Sequence, residues 1–172
     1  MSGFFGAISQ QDCVYDVFYG TDYHSHLGTK RAGMVFHNEK EGFRRSIHSL
    51  EDGYFRTKFE PDLPKFSGKS GIGVISDTEA QPIVVTSHLG RFAVVTVARI
   101  VNTDELEQRY MEQHRTFSET SQGAVNPTEL VAMLVAECKD FVSGIENVYD
   151  KIKGSCSLLI LTQDGIIAAR DK

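Results

Sequence analysis

The chain has no tryptophan, only four prolines and three cysteines in 172 residues, and no apolar run that approaches the length of a membrane span. Each scarcity excludes something. A spanning helix needs about 18 or more consecutive apolar residues, so none is predicted. The N-terminus also lacks the basic stretch and apolar core of a secretory leader, and the expected compartment is the cytoplasm. Cys13, Cys138 and Cys156 are odd in number, with no Cys-x-x-Cys spacing and no paired histidine motif, so neither a disulfide framework nor a zinc site is expected. Positive charge is not in excess either. With 18 basic and 23 acidic side chains the net charge is −5, which offers no general field to a nucleic-acid backbone.

What remains is an ordinary globular composition, 41% apolar and 24% charged, in a chain long enough for one domain with a full core. Gly3-Phe4-Phe5-Gly6-Ala7-Ile8 reads as a buried strand at the very N-terminus. Asp12 is placed to cap a helix over 13–26 with Val14, Val17 and Phe18 on one face. Residues 32–37 and 43–48 flank a turn-like 38–42 and predict an antiparallel hairpin. The stretch 51–70, with Pro61, Pro64 and Gly68, predicts no more than a short helix.

Runs at 71–76, 83–87 and 92–101 read as neighbouring strands. Asn102 or Thr103 starts a helix to about Phe117. Asn126-Pro127-Thr128-Glu129 starts another to about Val142, with proline at its first position. A shorter helix follows Ser143-Gly144, and 155–162 with 166–170 form a hairpin across Gln163-Asp164-Gly165. Strands in two groups with helices segregated between them point to an α+β fold.

Some residue patterns invite chemistry and carry little. His24 and His26 stand at i and i+2, which face different sides of a helix and make a poor metal pair. Cys13 follows Asp12 at a helix start, where the carboxylate opposes the dipole's effect on the thiol. Lys30-Arg31 and Arg44-Arg45 are short basic pairs that read first as solvated surface.

The landmarks Gly3-Phe4-Phe5-Gly6, His26-Leu27-Gly28-Thr29-Lys30-Arg31-Ala32-Gly33, Gly71-Ile72-Gly73, Glu79-Ala80-Gln81-Pro82, Ile100-Val101-Asn102 and Thr128-Glu129, in that order, resemble those of a known family. The whole chain is similar to the class II glutamine amidotransferase domain that opens amidophosphoribosyltransferases. That resemblance implies a four-layer αββα sandwich of the N-terminal-nucleophile hydrolase type. It also implies a phosphoribosyltransferase domain beyond the final Arg170-Asp171-Lys172, and a possible homo-oligomer as the assembled form.

The resemblance implies a reaction as well, and the sequence departs from what that reaction needs. The family's nucleophile is a thiol whose base is its own free α-amine. Ser2 stands at this position, behind Met1, and its amine is free only if Met1 is removed. The family's oxyanion pair is Asn-Gly, and the matching residues are Val97-Ala98. Its substrate clamps are an arginine for the α-carboxylate and an aspartate for the α-ammonium, matched here by Ser76 and Pro127. Leu27 replaces the arginine after His26. Loss of the nucleophilic thiol alone would suit an engineered trap, but loss of both clamps and the oxyanion pair does not.

The expected function is therefore a glutaminase-like domain without glutaminase activity, structural or regulatory in role. The alternative is an active amidohydrolase using Ser2 after Met1 removal. His26, Lys30 and Arg31 remain candidates for contact with an anionic ligand or with the second domain.

Overall fold

The structure is a computed structural model that describes residues 2–27, 30–121 and 123–171. The first sheet contains β1 (Gly3–Ile8), β4 (Ser70–Ser76), β2 (Arg31–Asn38) and β3 (Gly42–Ser49) in that spatial order. The second runs β10 (Gly165–Arg170), β9 (Gly154–Thr162), β6 (Gly90–Ile100) and β5 (Ile83–Ser87). Every neighbouring pair in both sheets is antiparallel.

Alternation along the strands gives each sheet two apolar faces. Val35, Ile72 and Val74 of the first sheet meet Ala93, Val95, Leu159 and Leu161 of the second in a dry inter-sheet core. On the outer face of the first sheet, Met34, Phe36 and Ile75 pack against Val14, Val17 and Phe18 of α1 (Val14–Asp22) and Phe55 and Phe59 of α2 (Phe55–Phe59). On the outer face of the second, Phe92, Val94, Leu158 and Ile160 pack against α3 (Thr103–Glu112), α4 (Pro127–Ala136) and α5 (Phe141–Lys151). Each fully buried Val, Leu, Ile or Phe contributes roughly 1.5–3 kcal/mol, and these three clusters fix the expected αββα order of layers.

The expected elements at 3–8, 32–48 and 154–170 form with boundaries close to those read from the sequence. Cys13, not Asp12, takes the N-cap position of that helix; Asp12 stands one residue before it, its Oδ1 accepting from Val14 N at 3.0 Å and its Oδ2 from Gly68 N at 2.9 Å. The α-helix ends at Asp22, and a 3-10 turn over Tyr23–Leu27 completes the stretch predicted as helix.

Three expectations change. First, β4 is no neighbour of β5: it lies between β1 and β2. All seven of its residues are buried, so it needs a strand on each edge and a layer on each face, which only the centre of the first sheet supplies. Second, α3 stops at Glu112 rather than near Phe117. His114 adopts φ +59°, and Arg115 N to Tyr110 O with His114 N to Met111 O closes the helix as a Schellman motif. Beyond it the chain is extended, with β7 (Thr120–Ser121) paired to β8 (Ala124–Val125). Third, α4 ends at Ala136. Asp140 caps a new helix by accepting from Ser143 N at 2.8 Å, so Ser143 and Gly144 lie inside α5 instead of before it.

Gly73 lets α1 approach the first sheet closely. A Cβ there would lie 2.0 Å from Thr21 Oγ1, a hydroxyl already donated to Val17 O at 2.7 Å. Gly73→Ala is expected to lower stability by roughly 1–3 kcal/mol through overpacking, read as a lower urea midpoint with an unchanged slope.

Candidate functional site

Ser2 precedes β1, whose register pairs Gly3 with Ile75. It therefore lies beside the end of β4, where Ser76 stands. Phe4 faces the inter-sheet core, so alternation sends Ser2 to the same side. In the second sheet Ala93 and Val95 face that core, and so does Val97. Ala98 faces the other way and packs with the helix-side cluster. The structure thus brings Ser2, Ser76 and Val97 to one end of the gap between the sheets, and it separates Val97 from Ala98. Pro127 opens α4 behind the second sheet.

The candidates near residue 26 divide. His26 is exposed, with Nδ1 against Tyr23 O. His24 instead lies over Gly3, where a Cβ would be 2.7 Å from its Nδ1. Lys30 makes a long contact with Glu51, 3.8 Å. Arg31 is half-buried at the start of β2. Met1, Gly28 and Thr29, and the side chain of Leu27, lie outside the described residues.

The connection from β4 to β5 passes against Gly33 of β2, on the face turned to the second sheet. Ser76 Oγ donates to Glu79 O at 2.5 Å. Gln81 is buried and pairs with both backbone groups of Thr96: its Oε1 accepts from Thr96 N at 2.7 Å and its Nε2 donates to Thr96 O at 3.1 Å. Gly33 makes room for its backbone, since a Cβ there would stand 1.8 Å from Gln81 O. The Gln81-Pro82 peptide is cis.

The same loop is tied to α4. Asn126 caps that helix by accepting from Thr128 N at 2.9 Å, and its Nδ2 donates to Ala80 O at 2.8 Å. The hydroxyls of Thr96 and Thr128 meet at 2.7 Å. Arg45 of β3 donates to Pro82 O at 3.0 Å and pairs with Glu119 at 3.1 Å. Glu129, in the first turn of α4, accepts from Ser118 N and Glu119 N at 2.8 and 2.9 Å. Buried polar groups are stable only when paired, and these are paired to one another. The landmark 79–82 was visible in the sequence, but nothing local announced that Gln81 would bond to Thr96.

A second cluster escaped sequence reading. Ser46 Oγ donates to Asp62 Oδ2 at 2.5 Å, and His48 Nε2 lies 2.6 Å from the same oxygen and 3.2 Å from Ser46 Oγ. Serine and carboxylate share one imidazole nitrogen, so the ring cannot relay a proton between them as a catalytic triad does. Burial raises the Asp62 carboxyl. The hydrogen bonds from Lys65, Ser46 and His48, with the Lys65 charge, outweigh it and hold the group well below the usual carboxylate range. The buried cysteines are no better placed for catalysis. Cys13 is pushed up to about 11 by burial and then by Asp12 and Asp16, and Cys156 to about 12 by burial and then by Asp171. Such thiols stay protonated and unreactive near neutrality.

Residues 70–172 match the glutamine amidotransferase domain family. The chain belongs to that family. It is 30% identical to the amidophosphoribosyltransferase of Methanocaldococcus jannaschii, over 99% of this chain and 38% of that protein. With the Bacillus subtilis enzyme of the same name it shares 26% identity, over 98% of this chain and 36% of the relative. The chain thus spans little more than a third of these relatives. The fold matches that of the B. subtilis glutamine phosphoribosylpyrophosphate amidotransferase complexed with ADP and GMP, with a TM-score of 0.82, 24% identity and coverage of 99% of this chain and 37% of the other. The expected N-terminal-nucleophile sandwich is the observed fold, and the chain is homologous to the glutaminase domain of amidophosphoribosyltransferases.

Two outcomes follow from the contacts in these clusters. Gln81→Leu strands both backbone groups of Thr96 and is expected to cost roughly 1–3 kcal/mol, measured by urea unfolding. Asp62→Asn is expected to cost a similar amount at pH 7. Because the folded carboxyl is depressed, its contribution is present above the unfolded value and lost as pH falls through the folded one. The difference between wild type and variant should therefore shrink below about pH 4 in paired denaturation curves.

Proposed function

We propose that this is a glutaminase-like domain that does not hydrolyse glutamine and serves a structural or regulatory role in a protein of the amidophosphoribosyltransferase type. A phosphoribosyltransferase-like domain beyond residue 172 belongs to the same proposal. The carrying observation is the loop from Ser76 to Pro82, in which Ser76 Oγ is taken up by Glu79 O, the Gln81 amide by Thr96, and the carbonyls of Ala80 and Pro82 by Asn126 and Arg45. A glutamine bound near Ser2 would need partners for its ammonium, its carboxylate and a developing oxyanion. Ser76 spends its hydroxyl on Glu79 O, and Val97, Ala98 and Pro127 offer no side-chain donor or charge. Losing one oxyanion donor alone reduces a rate by about two to three powers of ten.

The second reading, an amidohydrolase using Ser2 once Met1 is removed, is favoured by the position of Ser2 itself, half-buried at the strand end on the inter-sheet side.

Intact mass first establishes whether Ser2 is the terminal residue in cells. Protein with a free Ser2 amine is expected to release no glutamate from glutamine above the buffer rate, and Ser2→Cys is expected to leave it inactive. Glutamate release that disappears in Ser2→Ala would establish the second reading instead.

A further inference from the structure

The end of the sandwich opposite Ser2 holds a cavity of about 360 Å³, within the size range of small-molecule sites. Its floor is the last row of the first sheet before the strands turn. The register places Ile8, Ser70, His37 and Phe43 side by side across β1, β4, β2 and β3. Ser70 and His37 share strand parity with Ile72, Val74 and Val35, which face the inter-sheet core, so both side chains point into the gap between the sheets. The turn from β9 to β10 closes the other side. A Cβ on Gly165 would stand 3.4 Å from Ile8 Cδ1, and Asp164 N donates to Thr162 Oγ1 at 3.1 Å, which fixes the turn.

Ser70 is only 8% exposed, it lines this cavity, and its hydroxyl has no hydrogen-bond partner among the described residues. The other buried hydroxyls, of Thr21, Ser76, Thr96, Thr128 and Thr162, are all paired. A polar group withdrawn from bulk water and left unpaired costs free energy that a ligand can recover. The His37 ring rests on Phe43, centroids 4.9 Å apart, and its nitrogens bond to no described residue either. At the rim, Lys40 and Lys69 come from the first sheet and Asp164 from the second, with Glu39 beside Lys40. None of the four side chains forms an ion pair among the described residues. The turn that carries Lys40 is itself held, Asn38 Oδ1 accepting from Lys40 N at 2.8 Å and Asn38 Nδ2 donating to Ser67 Oγ at 2.7 Å. Opposite charges therefore stand around one cavity without neutralising each other.

We infer that this mouth of the sandwich binds a small zwitterion, an α-amino acid with a polar side chain, whose ammonium and carboxylate lie between Asp164 and the two lysines and whose side chain meets Ser70 and His37. The lysine and carboxylate charges of the lining balance, so a simple anion would meet both carboxylates and a simple cation both lysines. A zwitterion satisfies each sign at once, through charge-assisted hydrogen bonds. Hydroxyl and imidazole each both donate and accept, which suits an amide or hydroxyl at the floor and not a hydrocarbon. The inference concerns the end remote from Ser2 and stands whether or not glutamine is hydrolysed there.

The test is titration of the full chain with L-asparagine at fixed ionic strength, followed by backbone amide NMR shifts, which report both affinity and place. Shifts are expected at 37–40, 68–70 and 163–165. Three analogues each remove one feature of the probe: succinamate lacks the ammonium, L-asparaginamide lacks the carboxylate, and L-leucine replaces the amide with hydrocarbon of similar size. Each should bind roughly tenfold more weakly than asparagine. Ser70→Ala, which removes a hydroxyl that bonds to nothing in the protein, should weaken asparagine by about the same factor and leave the urea midpoint unchanged. Asp164→Asn, which suits the same turn, should do likewise. Lys153→Gln, before the far end of β9, should change nothing. No shifts, shifts centred on Ser2, any analogue binding as tightly as asparagine, or full affinity in both folded variants overturns the site. Glutamate release by the protein bears on the proposed function alone and leaves this titration to be read separately.

Discussion

Gln81 pairs its side-chain amide with both backbone groups of Thr96, and much of the arrangement around the N-terminus depends on that pairing. It acts as an additional rung for β6, fixing the loop that carries the chain from the first sheet to the second. With the loop fixed, Ala80 presents its carbonyl to Asn126, which is the cap of α4, and Pro82 presents its carbonyl to Arg45 of the opposite edge strand. One buried amide thereby couples two sheets and a helix start. Low local polarity strengthens each bond in such a network and penalises any group left unpaired.

Much of the architecture was legible in the chain because it is encoded locally. The hairpins at 31–49 and 154–170 carry turn residues between alternating runs, and the helix at 127 carries both a cap and a proline. The misplaced strand β4 was not local. Gly71-Ile72-Gly73-Val74-Ile75 says that a strand is buried, and only the packing of α1 against its glycines says in which sheet. The continuation from α4 to α5 was read as one helix because its apolar pattern runs on. The break depends on Asp140 capturing Ser143 N, a competition between a side chain and a helical backbone that periodicity does not register.

The site was legible as positions and not as geometry. Order along the chain was enough to bring Ser2, Ser76 and Val97 into one list, and the structure brings them to one end of the gap. That Ala98 faces away from Val97 follows from strand parity, and that Gln81 reaches the backbone of Thr96 follows from a pairing fifteen residues apart that no local pattern announces. Membership of the glutamine amidotransferase domain family explains why the layers persist. The fold is held by its three apolar clusters, none of which requires a working nucleophile.

The hydroxyl contact from Ser76 to Glu79 O also limits what position 76 can hold. An arginine at position 76 would drive a long cationic chain into the space that this short contact closes. The displaced loop would then release Gln81 from Thr96 and Ala80 from the cap of α4. A long side chain at position 76 would therefore be expected to cost stability unless the loop changed with it. A hydrogen bond of ordinary strength thus sets the size of side chain that this turn accepts.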